Sequence, residues 1–317
     1  MSKEILSVSH LCVGYNEHPA AADVSFSLQR GEILCLVGES GCGKSTVLKA
    51  LMAAPEIRLF SGSITLEDTV LSDLSIKARR KLCCDKMGIV FQTPEATFNP
   101  IRSYRKQFIE TLKSHGKYDA SSFSSQVEKA FAKVELNDWQ RVLSECPFAL
   151  SGGMNQRVAL ALALLLEQEI LLCDEPTSAL DATIQLQVGL ELQRLRDKNG
   201  VTQIIVTHNL ALARFLADHI GVMYAGRLVE FGRASDVLRE PRHPYTKSLM
   251  EAVPSLDGEM PVGLPGNPPM TGPSEADCEF RDRCPLAKES CGCRAYAMID
   301  LGDGHYASCC DGEEAEA

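Results

Sequence analysis

"ILCLVGESGCGKSTVLKAL", Ile33 to Leu51, decides the fold. An apolar run without alternation comes first, then a glycine-rich turn, then a stretch compatible with a helix. A short continuous apolar run is the pattern of a strand buried on both faces. The turn fits G-x-x-x-x-G-K-[ST] at Gly38, Gly43, Lys44 and Ser45. Small residues let successive backbone N–H groups turn toward a phosphate, and a helix starting near Lys44 adds the positive end of its dipole. In such a loop the lysine reaches the β- and γ-phosphates and the Ser45 hydroxyl coordinates Mg²⁺. A strand before and a helix after favour this reading over a chance glycine-rich turn. The fold class is then α/β, of the P-loop NTPase kind.

Moving outward, "EILLCDEPTSALD" supplies a second half-site. Ile170 to Cys173 predict a fully buried strand, because the run is apolar on both parities and ends abruptly in acid. Asp174, at its C-terminal end, is placed to hold Mg²⁺ through water, and Glu175 to orient and polarise an attacking water. Between the two halves lies "FALSGGMNQRVALALALLL". Ser151 is a good N-cap, and glycines ahead of a helix make a second anion-binding end. Two such ends on one chain suggest that the second serves another subunit's nucleotide.

Composition limits what else the chain does. It has 317 residues, 45% of them apolar, and a formal net charge of −10, which argues against a general nucleic-acid binder. The start has no basic stretch followed by an apolar one, so no signal peptide is expected. The longest apolar run, Val158 to Leu166, is far short of the roughly 20 residues a membrane span needs. Thirteen cysteines are present, six of them after residue 277. In a reducing compartment these are thiols or metal ligands sooner than disulfides.

Periodicity fills in the rest. Ile5 to Val13 and Val24 to Leu28 alternate and predict antiparallel strands. From about Pro94 to Leu150 the pattern turns helical, with Val127, Phe131 and Val134 on one face. Ile184, Val188, Leu192 and Leu195 line the core face of another helix, closed by Gly200. "QIIVT", a helix through Asp218 and "HIGVMY" continue the α/β alternation. After about Arg239, proline and glycine predict extended linker and turns.

"GESGCGKST", "VFQTP", "LSGGMNQR", "LLCDEP", "SALD" and "VTHN", in this order, resemble the nucleotide-binding subunit of an ABC transporter, from about Ile5 to Val253. The resemblance implies an antiparallel β subdomain and an inserted helical subdomain at about 94–165, within a nucleotide-binding domain at 1–250. It implies ATP and Mg²⁺ as ligands. ATP would be held by Gly38, Glu39, Ser40, Gly41, Cys42, Gly43, Lys44, Ser45, Thr46 and Gln92, with Tyr15 stacked on adenine. Mg²⁺ would be held by Ser45, Gln92 and Asp174. Glu175 matches the catalytic base and His208 the switch histidine. Without the Thr–His–Asn context, His208 would read as an ordinary structural histidine. Ser151, Gly152, Gly153 and Gln156 match the signature that acts in trans, and Asp181 the D-loop. Cys42 stands where the family usually has serine.

The tail narrows the resemblance. "HPYTKSLMEAVP", "GLPGNPP" and "CEFRDRCPLAKESC" are similar to the C-terminal extension, here 251–317, of oligopeptide, dipeptide and nickel importer ATPases. That implies uptake of peptides or of nickel and metal chelates delivered by an extracytoplasmic binding protein. It also implies two permease subunits, a second ATPase subunit (related or identical) and a peripheral place on the cytoplasmic face of the inner membrane. The rival is a soluble ABC-type ATPase acting on nucleic acid or ribosomes. For Cys278, Cys284, Cys291 and Cys309, gaps wider than zinc-site pairs suit an iron–sulfur cluster, and the resemblance to dipeptide-type members implies one of the [4Fe–4S] type. Zinc and unligated thiols are the alternatives, Cys310 could replace Cys309, and Cys293 is a spare. Because the extension lies outside every nucleotide motif, Cys284→Ser is expected to loosen it without removing ATP binding.

Overall fold

The computed structural model describes residues 3–93, 97–178, 182–252, 264, 266–269, 272–273, 278–292 and 296–309. The chain clusters into two compact units, residues 1–79 with 206–317, and residues 80–205.

The first unit holds an antiparallel sheet in the order β2-β1-β4-β5. β1 (Glu4–Tyr15) and β2 (His18–Gln29) form the hairpin that the alternation predicts, paired from Glu4↔Gln29 to Tyr15↔His18. Leu6, Val8, Leu11 and Val13 are buried from β1. β4 (Arg58–Leu66) and β5 (Thr69–Val70) complete the sheet. Further strands of this unit lie in the order β11-β12-β10-β9-β3. β3 (Ile33–Val37) is buried at every residue and runs parallel to β9 (His219–Tyr224). β10 (Arg227–Arg233) returns antiparallel beside β9. The short β11 (Ile299–Asp300) and β12 (Tyr306–Ala307) come from the C-terminal extension, with Phe231 facing Tyr306. The extension therefore continues the sheet.

Helix α1 (Lys44–Leu51) follows β3 directly. α8 (Leu210–Leu216) is capped by Asn209, whose side chain accepts from Leu212 N–H, and stops before Asp218. α9 (Ala234–Arg239) follows β10. α10 (Pro244–Glu251) lies where the proline content predicts linker. Proline at a first helical position donates no N–H that the helix needs. His243 Nδ1 accepts from Tyr245 N–H and caps the turn.

In the second unit β6 (Met87–Val90) pairs parallel with β7 (Ile170–Asp174), in the order β8-β7-β6, where β8 is Thr202–Thr207. Around them lie α3 (Tyr104–Ser114), α4 (Phe123–Lys133), α5 (Trp139–Ser144), α6 (Gly152–Leu165) and α7 (Ala182–Asn199). The basic helix α2 (Ile76–Lys86) leads into β6. Val127, Phe131 and Val134 are buried as their spacing predicts, and Phe108 meets Phe131 at 5.8 Å. Each such ring contributes about 1.5–3 kcal/mol by leaving water. On α7, Val188, Leu192 and Leu195 are buried and Ile184 half-buried, and Gly200 closes the helix at φ 64°. No helix among the described residues is long and apolar enough to cross a membrane.

Candidate nucleotide site

The loop between β3 and α1 is tightly determined. Gly43, the residue before α1, sits at φ 97°, and a Cβ there would lie 2.6 Å from the Ala20 carbonyl oxygen. At Gly38 the same atom would meet the Met223 carbonyl oxygen at 2.1 Å. Only glycine fits this approach of backbone to backbone. Lys44 is 4% exposed, and its Nζ donates to the carbonyl oxygens of Gly38 (2.8 Å) and Glu39 (2.7 Å). The ammonium is thus held within the loop, at the N-terminus of α1, which is what a phosphate cradle needs. Cys42 is buried with Sγ 3.5 Å from Lys44 Nζ, and its carbonyl accepts from Gly226 N–H. Burial pushes its thiol up, against the pull of Lys44, so the neutral thiol is favoured. Ser45, half-buried, and Thr46, buried, follow in the first turn. Tyr15 is exposed at the end of β1, with Lys49 Nζ 5.9 Å from its ring centre. His208 is exposed between β8 and α8.

The extension grips this loop, although it lies outside every nucleotide motif. Arg283 donates from Nη1 to Glu39 Oε2 at 2.6 Å and from Nη2 to Glu39 Oε1 at 2.9 Å. The Glu39 N–H donates to Tyr245 Oη at 2.9 Å. Phe280, 2% exposed, packs against both Tyr224 and Tyr245 at 5.2 and 5.4 Å. A second anchor is Glu230 on β10, fully buried, whose carboxylate accepts from the N–H groups of Arg242 and His243 and lies 2.7 Å from His305 Nε2. Burial holds His243 down to about 3, so it stays neutral and can accept as a cap. Sequence reasoning missed Arg283, Tyr245 and Glu230 because each acts across a long separation. A proline at the first turn of "HPYTKSLM" was the one local signal.

In the second unit, β7 ends at Asp174, and Glu175 follows at φ 47°. A left-handed backbone on a non-glycine residue stores strain, which concentrates at functional sites. Gln92 is exposed just beyond β6. Ser151 caps α6, accepting from Met154 N–H at 3.4 Å, and is exposed with Gly152, while Gly153 is half-buried and Gln156 is buried. Asn155 ties α6 down, accepting from Tyr104 Oη at 2.6 Å and donating to the Pro147 carbonyl at 3.1 Å. Beside it an apolar groove of about 470 Å³ is lined by Phe98, Pro100, Pro147, Phe148 and Leu150. Phe148 is 74% exposed. Asp181 lies outside the described residues.

Cys278, Cys284 and Cys291 lie close enough for their charges to interact. Cys278 N–H donates to the Cys291 carbonyl at 3.4 Å, and Cys278, Cys284, Cys291 and Cys309 are all half-buried. Burial pushes the thiols of Cys278 and Cys284 up. No group of three or more His, Cys, Asp or Glu side chains among the described residues is arranged to hold a metal ion. The iron–sulfur expectation gains no support from this placement. Cys293 and Cys310 lie outside the described residues.

Comparison with known proteins agrees with the loop geometry. Residues 21–178 match the ABC transporter family and residues 229–291 the oligopeptide/dipeptide transporter C-terminal region. The dipeptide transport ATP-binding protein DppD of Bacillus subtilis is 34% identical, over 97% of this chain and 94% of the relative. The chain belongs to the ABC transporter family. The oligopeptide transport ATP-binding protein OppD of Escherichia coli is 37% identical, over 92% of this chain and 87% of its own. A solved dimer of the ABC cassette MJ0796 in a post-hydrolysis state, bound to ADP and Pi, matches with a TM-score of 0.63 at 26% identity. That match covers 73% of this chain and 99% of the other. This ABC chain is an ATP-binding, ATP-hydrolysing cassette.

Proposed function

We propose that this chain powers the import of dipeptides or oligopeptides as the ATPase subunit of a membrane transporter. One observation carries the reading. A phosphate loop with a buried lysine stands on the same chain as the C-terminal region of oligopeptide and dipeptide transporters. The relatives reported above name dipeptides and oligopeptides, so nickel and metal chelates drop from the reading. The rival, an ATPase acting on nucleic acid or ribosomes, loses ground for the same reason.

In this reading Gly38 to Thr46 cradle the ATP phosphates, Lys44 meets the β- and γ-oxygens, and Tyr15 stacks on adenine. Ser45, Gln92 and Asp174 would hold Mg²⁺, which neutralises charge as the γ-phosphoryl transfers to water. Glu175 polarises that water in line with the γ-phosphorus, and His208 contacts the γ-phosphate. Ser151, Gly152, Gly153 and Gln156 act on the nucleotide of a second ATPase subunit, whose approach Asp181 helps to order. Catalysis is then positioning plus electrostatic stabilisation. The groove at Phe148 suits an apolar segment of a permease, which would seat the chain on the cytoplasmic face of the membrane. A binding protein outside would deliver the peptide.

The test is reconstitution in vesicles with its permease partners. ATP-dependent accumulation of a labelled dipeptide or oligopeptide, lost on Phe148→Asp with the chain still folded, is the expected result. Robust ATPase activity with no peptide uptake from any delivered peptide mixture would overturn the substrate class.

A further inference from the structure

The phosphate loop contains a carboxylate, and that is an electrostatic problem. Glu39 is the second residue of the loop, and ATP brings several negative charges into the same cradle. A lone carboxylate there would repel the ligand. Its charge is met by Arg283, a residue 244 positions away, through two charge-assisted hydrogen bonds of 2.6 and 2.9 Å. The guanidinium side chain is only 6% exposed, and it also donates to Tyr224 Oη at 3.2 Å.

Every polar part of Glu39 has a partner. Its N–H is bonded to Tyr245 Oη, its carbonyl to Lys44 Nζ, and its carboxylate to Arg283. Two of those three partners belong to the segment after Arg239, and the third is the phosphate-binding lysine. Movement of Arg283 would therefore be felt at Lys44 through one residue. Phe280, three residues earlier, packs against Tyr224 and Tyr245 and fixes the approach of the arginine.

We propose that Arg283 of the C-terminal extension is a positioning residue for ATP binding, pulling the Glu39 carboxylate out of the phosphate cradle and neutralising it. The extension thereby forms part of the nucleotide site. The inference rests on Gly38 to Thr46 being the phosphate loop.

Calorimetry of MgATP binding to the full-length chain, at low and high salt, tests it. Arg283→Ala raises the Kd about tenfold at low salt, as expected for losing a charge-assisted pair, and by less at high salt, where the freed carboxylate is screened. Adding Glu39→Gln to Arg283→Ala recovers most of the loss, because the repelling charge is gone. Arg227→Met, which breaks the 3.3 Å pair that β10 makes with Glu279 of the extension, leaves the Kd at the parent value. An equal loss in Arg227→Met, or a loss in Arg283→Ala that neither salt nor Glu39→Gln changes, would overturn the proposal in favour of a purely structural tail. An unchanged Kd in Arg283→Ala overturns it too. Should that variant not fold, Arg283→Lys keeps the charge and loses the fork, and it gives a smaller, salt-sensitive rise. No rise there sinks the proposal. Lys44→Ala separates the two readings. If it also binds ATP normally the phosphate-loop reading fails, and if it alone is impaired only the role of Arg283 fails.

Discussion

Two helices in this chain begin with glycine-rich turns able to receive an anion, and they are built in opposite ways. The N-terminus of α1 is closed. Its lysine is buried, Gly38 and Gly43 admit no side chain, and its carbonyls are taken up by Lys44 and Gly226. The N-terminus of α6 is open. Ser151 and Gly152 are exposed, and the turn is held by the serine cap and by Asn155 one turn further on. A closed end holds its ligand without help. An open end has donors ready and too few partners, so it gains a full site only when another surface supplies the rest. The same local chemistry thus yields a binding site in one place and half an interface in the other.

The largest effect expected is on turnover. If both ends converge on one nucleotide between two subunits, stopping the chemistry traps the pair. Glu175→Gln removes the polarising carboxylate and should lower kcat about 10²–10⁴-fold, as for loss of a general base, while ATP binding persists. ATP should then drive a stable dimer on size exclusion. Near-parental turnover would reassign the base. Next is Lys44→Ala, which empties the closed end of its charge. A weakening of ATP binding by one to two powers of ten is expected from loss of charged hydrogen bonds, read by calorimetry on the single chain.

The open end should respond differently. Ser151→Arg fills the mouth of α6 with bulk and charge. Turnover of the paired enzyme should fall while ATP affinity of the separate chain stays as it is. Mixing Ser151→Arg with Lys44→Ala chains should restore one competent site if the chain pairs with itself. No rescue points to a related second subunit. Lost affinity in the Ser151→Arg monomer would break the contrast between the two ends.

How much of this was legible in the sequence follows from the range of each interaction. The phosphate loop, β7 and the cap at Ser151 are local, and glycine spacing, unbroken apolar runs and a serine before a helix announce them. The faces of α4 and α7 were equally plain, because helical periodicity is a property of consecutive residues. The Arg283–Glu39 pair and the buried Glu230 were not, since no local pattern ties residues 244 or 75 positions apart. The extension misled for a related reason. Proline-rich sequence reads as linker unless something long-range holds it, and here β10 and the aromatic cluster do. Cysteine spacing alone left the metal question open, and the described side chains form no metal-binding group that would support the iron–sulfur expectation.

The smallest predictions concern what steadies α6 behind its open end. Asn155→Ala leaves the buried Tyr104 hydroxyl and the Pro147 carbonyl without their partner, and should cost about 1–3 kcal/mol in urea unfolding. A subtler effect depends on pH. Arg157 Nε on α6 lies 2.8 Å from Glu191 Oε1 on α7, and that glutamate is 1% exposed. Burial pushes its carboxyl up to about 7, with Arg157 pulling the other way. A carboxyl raised on folding favours the native state while it is protonated. Its contribution is therefore full below the ordinary glutamate range and is lost as pH climbs through about 7. The parent should lose on the order of 1–2 kcal/mol between mildly acidic and mildly alkaline buffer from this group. Glu191→Gln cannot ionise, so its melting temperature should vary less across that span and exceed the parent's at the alkaline end. Parallel pH profiles for the two proteins would mean that Arg157 already compensates the buried charge in full, leaving α6 as firmly seated at high pH as at low.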